Sequence, residues 1–195
     1  MKLLFASSNT HKREELAAIL PEHAIVMPDE IGVRFEFEET GSTYLENALG
    51  KAMYLWKLAR VPVVADDSGL SVPSLGGEPG VLSARYGAQN GEKLSVEERN
   101  RYLLSRMEGV SPRDAFFVCA MVLVLGEYRV FTVQETLHGE IIHEPRGTHG
   151  FGYDPLLFLP EYGRTVAELP EQEKNRISHR GKAGAVIRDI LSRFA

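Results

Sequence analysis

Val61-Pro62-Val63-Val64-Ala65-Asp66-Asp67-Ser68-Gly69 is the stretch on which the fold reading turns. Val61 to Ala65 is apolar enough to be a buried strand, and it runs straight into two acids, a serine and a glycine. Ligands of α/β folds gather at such carboxyl ends of strands. Upstream, Lys2 to Ala6 reads as a short buried strand and Ser7-Ser8-Asn9-Thr10 as a loop rich in helix-capping residues. His11 to Leu20 then reads as a helix closed by Pro21, and Ala24 to Met27 as a further strand. Val33, Phe35 and Phe37 alternate with Arg34, Glu36 and Glu38, which predicts a half-exposed strand. Thr43 with Glu46 forms a capping box for a helix reaching Ala59.

Downstream of Gly69, glycines and prolines recur as far as Gly91 and predict a long loop, of the kind that is usually functional. Ser95 with Glu98 opens a helix to Met107. Ala115 to Leu125 is a central strand, paired through Gly126-Glu127 with Tyr128 to Thr136. Pro145 to Pro155 is a second glycine-rich loop, and Gly184 to Phe194 a closing helix. Strands alternating with helices, followed by a long hairpin, predict an α/β fold with a mixed central sheet.

The 195 residues are 44% apolar and 25% charged, with a net charge of -5. That composition fits one folded domain spanning 1–195, or two tightly packed lobes, and not a disordered chain. Cys119 is the single cysteine, so no disulfide framework can form. The longest apolar run is too short for a membrane span, and a cytoplasmic protein is expected. Residues 1–50 hold 4 Lys/Arg against 9 Asp/Glu, whereas residues 161–195 hold 7 against 5. Nucleic-acid binding, which needs a dense basic footprint, is not expected. Carboxylates in the first part holding a metal, with cations in the last part holding an anion, fit this distribution; so does ordinary surface charge.

Five segments could carry chemistry. Ser7, Ser8, Asn9, Thr10, His11 and Lys12 form a strand–loop–helix junction whose amides, hydroxyls and ammonium suit phosphate, without the glycines of a Walker A loop. Asp66 and Asp67 could bind Mg²⁺, and their side chains leave a strand on opposite sides, one in a site and one behind it. Glu36, Glu38, Glu39 and Glu46 offer a further ligand; each also reads as a surface acid, and Glu46 as a cap. His149-Gly150-Phe151-Gly152-Tyr153-Asp154-Pro155 offers rings to stack on a base and a carboxylate to accept from it, or else an aromatic-anchored turn. Lys174 to Lys182 gathers four cations and His179, a phosphate- or base-holding segment or a basic surface helix. No nucleophile elbow surrounds Ser68, and no cysteine or histidine pair suits zinc.

In order along nearly the whole chain, five of these segments resemble the motifs of one family. They are Ser7-Ser8-Asn9-Thr10-His11-Lys12, Glu38-Glu39-Thr40-Gly41-Ser42-Thr43-Tyr44-Leu45-Glu46-Asn47-Ala48, Ala65-Asp66-Asp67-Ser68-Gly69-Leu70 with Gly76 to Tyr86, Gly150-Phe151-Gly152-Tyr153-Asp154-Pro155, and Ser178-His179-Arg180-Gly181-Lys182-Ala183. The family is the inosine/xanthosine triphosphate pyrophosphatases. The resemblance implies an elongated mixed sheet with two lobes around an active-site cleft, and a homodimer. It implies Mg²⁺-dependent hydrolysis of ITP, dITP and XTP to monophosphate and pyrophosphate, which removes deaminated purines from the nucleotide pool. By the same resemblance Asp67 is the proton acceptor, and Asp67 with Glu38 holds Mg²⁺, Glu46 being the rival ligand. Ser7 to Lys12 and Ser68 hold phosphate. Phe151, Gly152, Tyr153, Asp154, Lys174, His179 and Arg180 hold the base and its attached phosphate, with Arg180 as a donor to the 6-oxo group. The alternatives are a pyrophosphatase for other modified or pyrimidine triphosphates and a nucleotide-binding module without catalysis.

Overall fold

A computed structural model of the chain describes residues 1–88 and 92–194. The last glycine of the long expected loop, Gly91, lies outside the described residues. The elements are β1 (Lys2–Phe5), α1 (Thr10–Ile19), β2 (Ala24–Val26), α2 (Tyr44–Ala59), β3 (Val63–Ser71), α3 (Val96–Arg106), β4 (Asp114–Gly126), β5 (Arg129–Ile141), β6 (Leu157–Leu159), β7 (Arg164–Thr165), α4 (Glu171–Ile177) and α5 (His179–Leu191). The expected α/β architecture forms, with helices flanking a seven-stranded sheet in the order β2-β1-β3-β4-β5-β6-β7. β1 runs parallel to β2 and to β3, whereas β6 is antiparallel to β5 and β7, so the sheet is mixed. The link between β4 and β5 is Glu127-Tyr128, a length that suits an antiparallel hairpin.

The chain divides into two compact units, one of residues 1–67, 119–135 and 175–195, the other of residues 68–118 and 136–174. In the first unit, strand alternation sends side chains to two separate cores. Leu3, Phe5, Val64, Cys119, Met121 and Leu123 pack with α1 and α5. Leu4, Ala6, Val63, Ala65, Ala120, Val122 and Val124 pack with Ala48, Ala52, Leu55 and Trp56 of α2. Gly184 lets α5 approach α1 closely, since a Cβ there would lie 2.6 Å from Ile19 Cγ2. Both expected capping boxes are present, Thr43 with Glu46 and Ser95 with Glu98. In the second unit, Leu70, Val72, Leu103, Met107, Leu156, Leu157 and Val166 are buried.

Four expectations need correction. Val33 to Glu38 forms no strand; the alternation is real, but its inner rings pack on α2, Phe35 and Phe37 lying 6.0 and 5.8 Å from Tyr54. A two-residue period reports one buried side, and a ladder partner is a separate requirement. The segment after Gly69 is not a structureless loop, because 3₁₀ turns form at Pro73–Leu75 and Gly80–Arg85. Lys174 to Lys182 is two helices, broken where Ser178 caps α5 through the Gly181 N–H. Finally, the strand expected over Val61 to Ala65 does not stop there, since β3 continues through Asp66-Asp67-Ser68-Gly69 to Ser71.

Gly69 therefore serves close approach and not chain reversal. A Cβ there would meet Ser83 Oγ at 2.3 Å and the Gly80 carbonyl oxygen at 2.7 Å. The Ser83 hydroxyl is fixed, accepting from the Leu70 N–H at 2.9 Å and donating to the Gly80 carbonyl at 2.7 Å. Gly69→Ala is expected to cost about 1–3 kcal/mol through overpacking. Urea unfolding should show a lowered midpoint at unchanged slope.

Candidate active site

Asp66 and Asp67 leave opposite faces of β3, and each meets a different set of helices. Asp66 follows Val64 to the face covered by α1 and α5 and is 1% exposed. The Arg180 guanidinium donates to Asp66 Oδ2 from Nε (3.1 Å) and Nη2 (2.7 Å), and from Nη1 to Glu15 Oε2 (2.6 Å). Lys12 Nζ lies 3.2 Å from Asp66 Oδ1 and 3.1 Å from Oδ2. Burial alone would raise the Asp66 pKa, but Lys12 and Arg180 outweigh it and hold this carboxyl well below the usual carboxylate range. The neighbouring Cys119 thiol, pushed up to about 12 by burial and then by Asp66, is an unreactive core group.

Asp67 follows Val63 and Ala65 to the α2 face. Asn47 Nδ2 donates to its Oδ2 at 3.1 Å, and Lys51 Nζ lies 3.7 Å from its Oδ1. Lys51 is shared, since its ammonium also donates to Glu39. Asn47 Oδ1 accepts from the Gly41 N–H at 2.8 Å, tying the turn before α2 to the same place. Burial raises the Asp67 pKa, Lys51 and Lys12 pull it back in part, and Glu39 adds to the rise. The two adjacent acids are thus shifted in opposite directions.

In the Ser7–Lys12 segment, Asn9 caps α1 by accepting from the Lys12 N–H at 3.2 Å, and Ser7 Oγ accepts from the Asn9 N–H at 3.1 Å. Ser8, Thr10 and His11 are exposed. Glu38 is exposed and lies on no strand, and its neighbour Glu39 faces Lys51. Glu46 is spent on capping, accepting from the Ser42 N–H at 2.7 Å and the Thr43 N–H at 3.1 Å. His179 is buried in the first turn of α5. Ser68 lies part-buried on β3.

The second unit holds Phe151, Gly152, Tyr153, Asp154 and Lys174 together. Asp154 Oδ2 accepts from the Phe151 N–H at 2.8 Å and from Lys174 Nζ at 2.7 Å, and Lys174 Nζ lies 4.9 Å from the Phe151 ring centroid. Tyr153 is buried and donates its hydroxyl to the Ser83 carbonyl at 3.0 Å, so it anchors the turn, whereas Phe151 and Gly152 are part-exposed.

Sequence reasoning did not single out Lys51, Asn47 or Glu15. A usable signal existed for Lys51, a charge placed on the α2 stripe of Ala48, Ala52 and Leu55 that faces the core. Asp66, Asp67, Glu15 and Glu39 set four carboxylates against the three cations Lys12, Lys51 and Arg180, an excess of one negative charge. Oxygen donors with excess negative charge fit a hard cation such as Mg²⁺, and Lys51 already shows a positive charge lodged beside Asp67 and Glu39. Among the described residues, no three acid, histidine or cysteine side chains form a complete cage.

Because its folded pKa is depressed, Asp66 contributes stability that is complete above the ordinary carboxylate range near pH 4 and is lost as pH falls below it. Asp66→Asn takes the carboxylate away from Lys12 and from Nε and Nη2 of Arg180 and should cost about 3–5 kcal/mol at pH 7. Urea titrations at descending pH should show the gap between variant and parent narrowing below about pH 4.

The model of the Ham1 family matches residues 3–190. A dITP/XTP pyrophosphatase of Treponema denticola is 49% identical over 183 residues, covering 94% of each chain. A HAM1 protein of Coxiella burnetii superimposes with a TM-score of 0.89 at 39% identity, covering 99% of each chain. The Staphylococcus aureus Ham1 protein gives 0.88 at 35% identity over the whole of both chains. With a match across nearly its full length and relatives of this identity, the chain belongs to the Ham1 family.

Proposed function

We propose that the protein hydrolyses non-standard purine nucleoside triphosphates (ITP, dITP and XTP) at the α–β phosphoanhydride bond, releasing the monophosphate and pyrophosphate. The observation that carries this reading is the placement of Asp66 and Asp67 on opposite faces of β3, the first between Lys12 and Arg180 and the second against Asn47 and Lys51, with their pKa values shifted in opposite directions. Neighbouring carboxyls whose pKa values are driven apart divide into a fixed charge and a proton acceptor. Asp66, locked between Lys12 and Arg180, is the fixed charge. Asp67, made more basic by burial, takes the proton of the attacking water. Asn47 and Lys51 hold its carboxylate in place while it does so.

Mg²⁺ would be held by Asp67 and Glu38, and would offset phosphate charge. Ser7 to Lys12, at the N-terminus of α1, and Ser68 hold phosphate oxygens; Lys12 is the principal cation. Phe151, Gly152, Tyr153, Asp154, Lys174 and His179 serve the base and its attached phosphate. Arg180 carries two assignments. Its ion pairs orient Asp66, and a guanidinium N–H would donate to the 6-oxo group that distinguishes these purines from adenine, which requires the buried side chain to become accessible to the base. The enzyme acts as a homodimer in the cytoplasm and clears deaminated purines from the nucleotide pool. Among the described residues no helix is long and apolar enough to cross a membrane.

Turnover on ITP, XTP, dITP, GTP, ATP and TTP with Mg²⁺, resolving pyrophosphate from orthophosphate, is the direct test. Pyrophosphate release should concentrate on ITP, dITP and XTP, and Asp67→Asn should lower kcat by about 10²–10⁴-fold. Orthophosphate as first product, or equal turnover of ATP, would overturn the reading. In Mg²⁺ titrations, Glu38→Gln should raise the requirement and Glu39→Gln should not; the reverse order would move the ligand to Glu39.

A further inference from the structure

The Phe151–Asp154 turn is contacted by two consecutive residues of α3. Gly150 and Gly152 have φ of +76° and +65°, so the backbone reverses twice within three residues. Two bonds close the turn on itself: the Phe151 N–H donates to Asp154 Oδ2 at 2.8 Å, and the Asp154 N–H to the Phe151 carbonyl at 3.3 Å. The Gly152 carbonyl is taken from outside, by Asn100 Nδ2 at 3.1 Å. The preceding residue of α3, Arg99, places its guanidinium carbon 5.5 Å from the Tyr153 ring centroid. Two consecutive helix residues therefore grip two consecutive turn residues, all within the second unit.

Asn100 is 5% exposed, and its Oδ1 is buried with no hydrogen-bond partner among the described residues. A buried amide with an unpaired arm costs stability that an apolar residue of similar size would recover. What the apolar residue would give up is the bond to Gly152. That bond fixes the backbone carbonyl next to the part-exposed Phe151, whereas the Tyr153 carbonyl accepts from the Leu156 N–H at 2.9 Å and the Asp154 carbonyl from the Ala167 N–H at 3.1 Å.

We infer that Asn100 is a positioning residue for base recognition: by holding the Gly152 carbonyl it sets the angle at which the Phe151 ring and the Asp154 side of the turn meet the purine. The inference rests on the proposed reading of Phe151–Asp154 as the base-holding segment. It predicts an effect on base binding that leaves phosphate handling untouched, since inorganic tripolyphosphate carries no base.

The experiment compares Asn100→Asp, Asn100→Ala and Phe151→Ala with the parent enzyme. It measures KM and kcat for ITP and the inhibition constant of inorganic tripolyphosphate. Asn100→Ala also removes the unpaired Oδ1, so it stays informative if the carboxylate of Asn100→Asp disturbs folding. Both Asn100 variants should raise KM for ITP by about tenfold, the scale of one lost hydrogen bond, with kcat within about twofold. Tripolyphosphate inhibition should stay unchanged in both. A general structural defect would instead lower kcat through a smaller active fraction, or weaken ITP and tripolyphosphate alike, and either result overturns the inference. Unchanged KM in the folded Asn100 variants, with KM raised in Phe151→Ala, overturns the role of Asn100 and leaves the base-holding turn standing. Unchanged KM in Phe151→Ala overturns that reading of the turn, and the inference with it.

Discussion

The Arg180 guanidinium lies between Asp66 of β3 and Glu15 of α1, almost wholly out of water, and Lys12 completes the group from the first turn of α1. Arginine alone among the cations can meet two carboxylates in one plane, and its fixed fork dictates where each must lie. Such buried pairs add little net stability, because desolvation offsets most of the attraction. What they contribute is mutual dependence, since withdrawing one member takes a partner from a buried opposite charge. Three elements distant in sequence, α1, β3 and α5, are tied together by the ion pairs of Arg180 with Asp66 and Glu15 and of Lys12 with Asp66. The capped N-terminus of α1, where Ser7 to Lys12 present amides and hydroxyls, inherits its position from that lock.

The lock has a chemical consequence one residue further along. A strand cannot send two consecutive side chains to the same face, so Asp67 receives none of the Arg180 fork. Its compensation is one neutral amide and one ammonium that Glu39 also claims. Burial then dominates, and Asp67 holds protons more tightly than a free carboxylate while Asp66 releases them more readily. Had Asp66-Asp67-Ser68-Gly69 been a turn, both acids could have shared one set of cations. The extended backbone is what divides their labour.

Much of the fold was legible in the sequence because its signals are local. Apolar runs, Pro21 and two capping boxes place β1, α1, α2, α3 and β4 to within a few residues. The failures have one cause, which is that pairing is not local. Val33 to Phe37 has a strand's alternation and lacks a ladder, whereas β6 and β7, at three and two residues, have a ladder and too few side chains to show a period. Asp66 and Asp67 read as the point where the strand ends, because acids are rarely buried, and the cations that make burial tolerable come from positions 12, 51 and 180. Glu15 and Asn47 were hidden for the same reason: their importance lies in what faces them.

The second unit repeats the device on a smaller scale. Lys174 and Asp154 form a buried pair, and the acid also takes the Phe151 N–H, so the charge pair is fastened to backbone and not merely to another side chain. A Cβ at Gly150 would fall 2.1 Å from Asp154 Oδ2 and 2.9 Å from Lys174 Nζ. The pair therefore requires bare backbone above it, and the left-handed glycine supplies both the space and the reversal. Phe151 is held in place by what lies beneath it, with the ammonium against its ring and the carboxylate on its amide. In both units a buried charge pair fixes a neighbouring group, Asp67 in one and Phe151 in the other. A group held from behind by low-dielectric electrostatics needs no reorganisation when its ligand arrives.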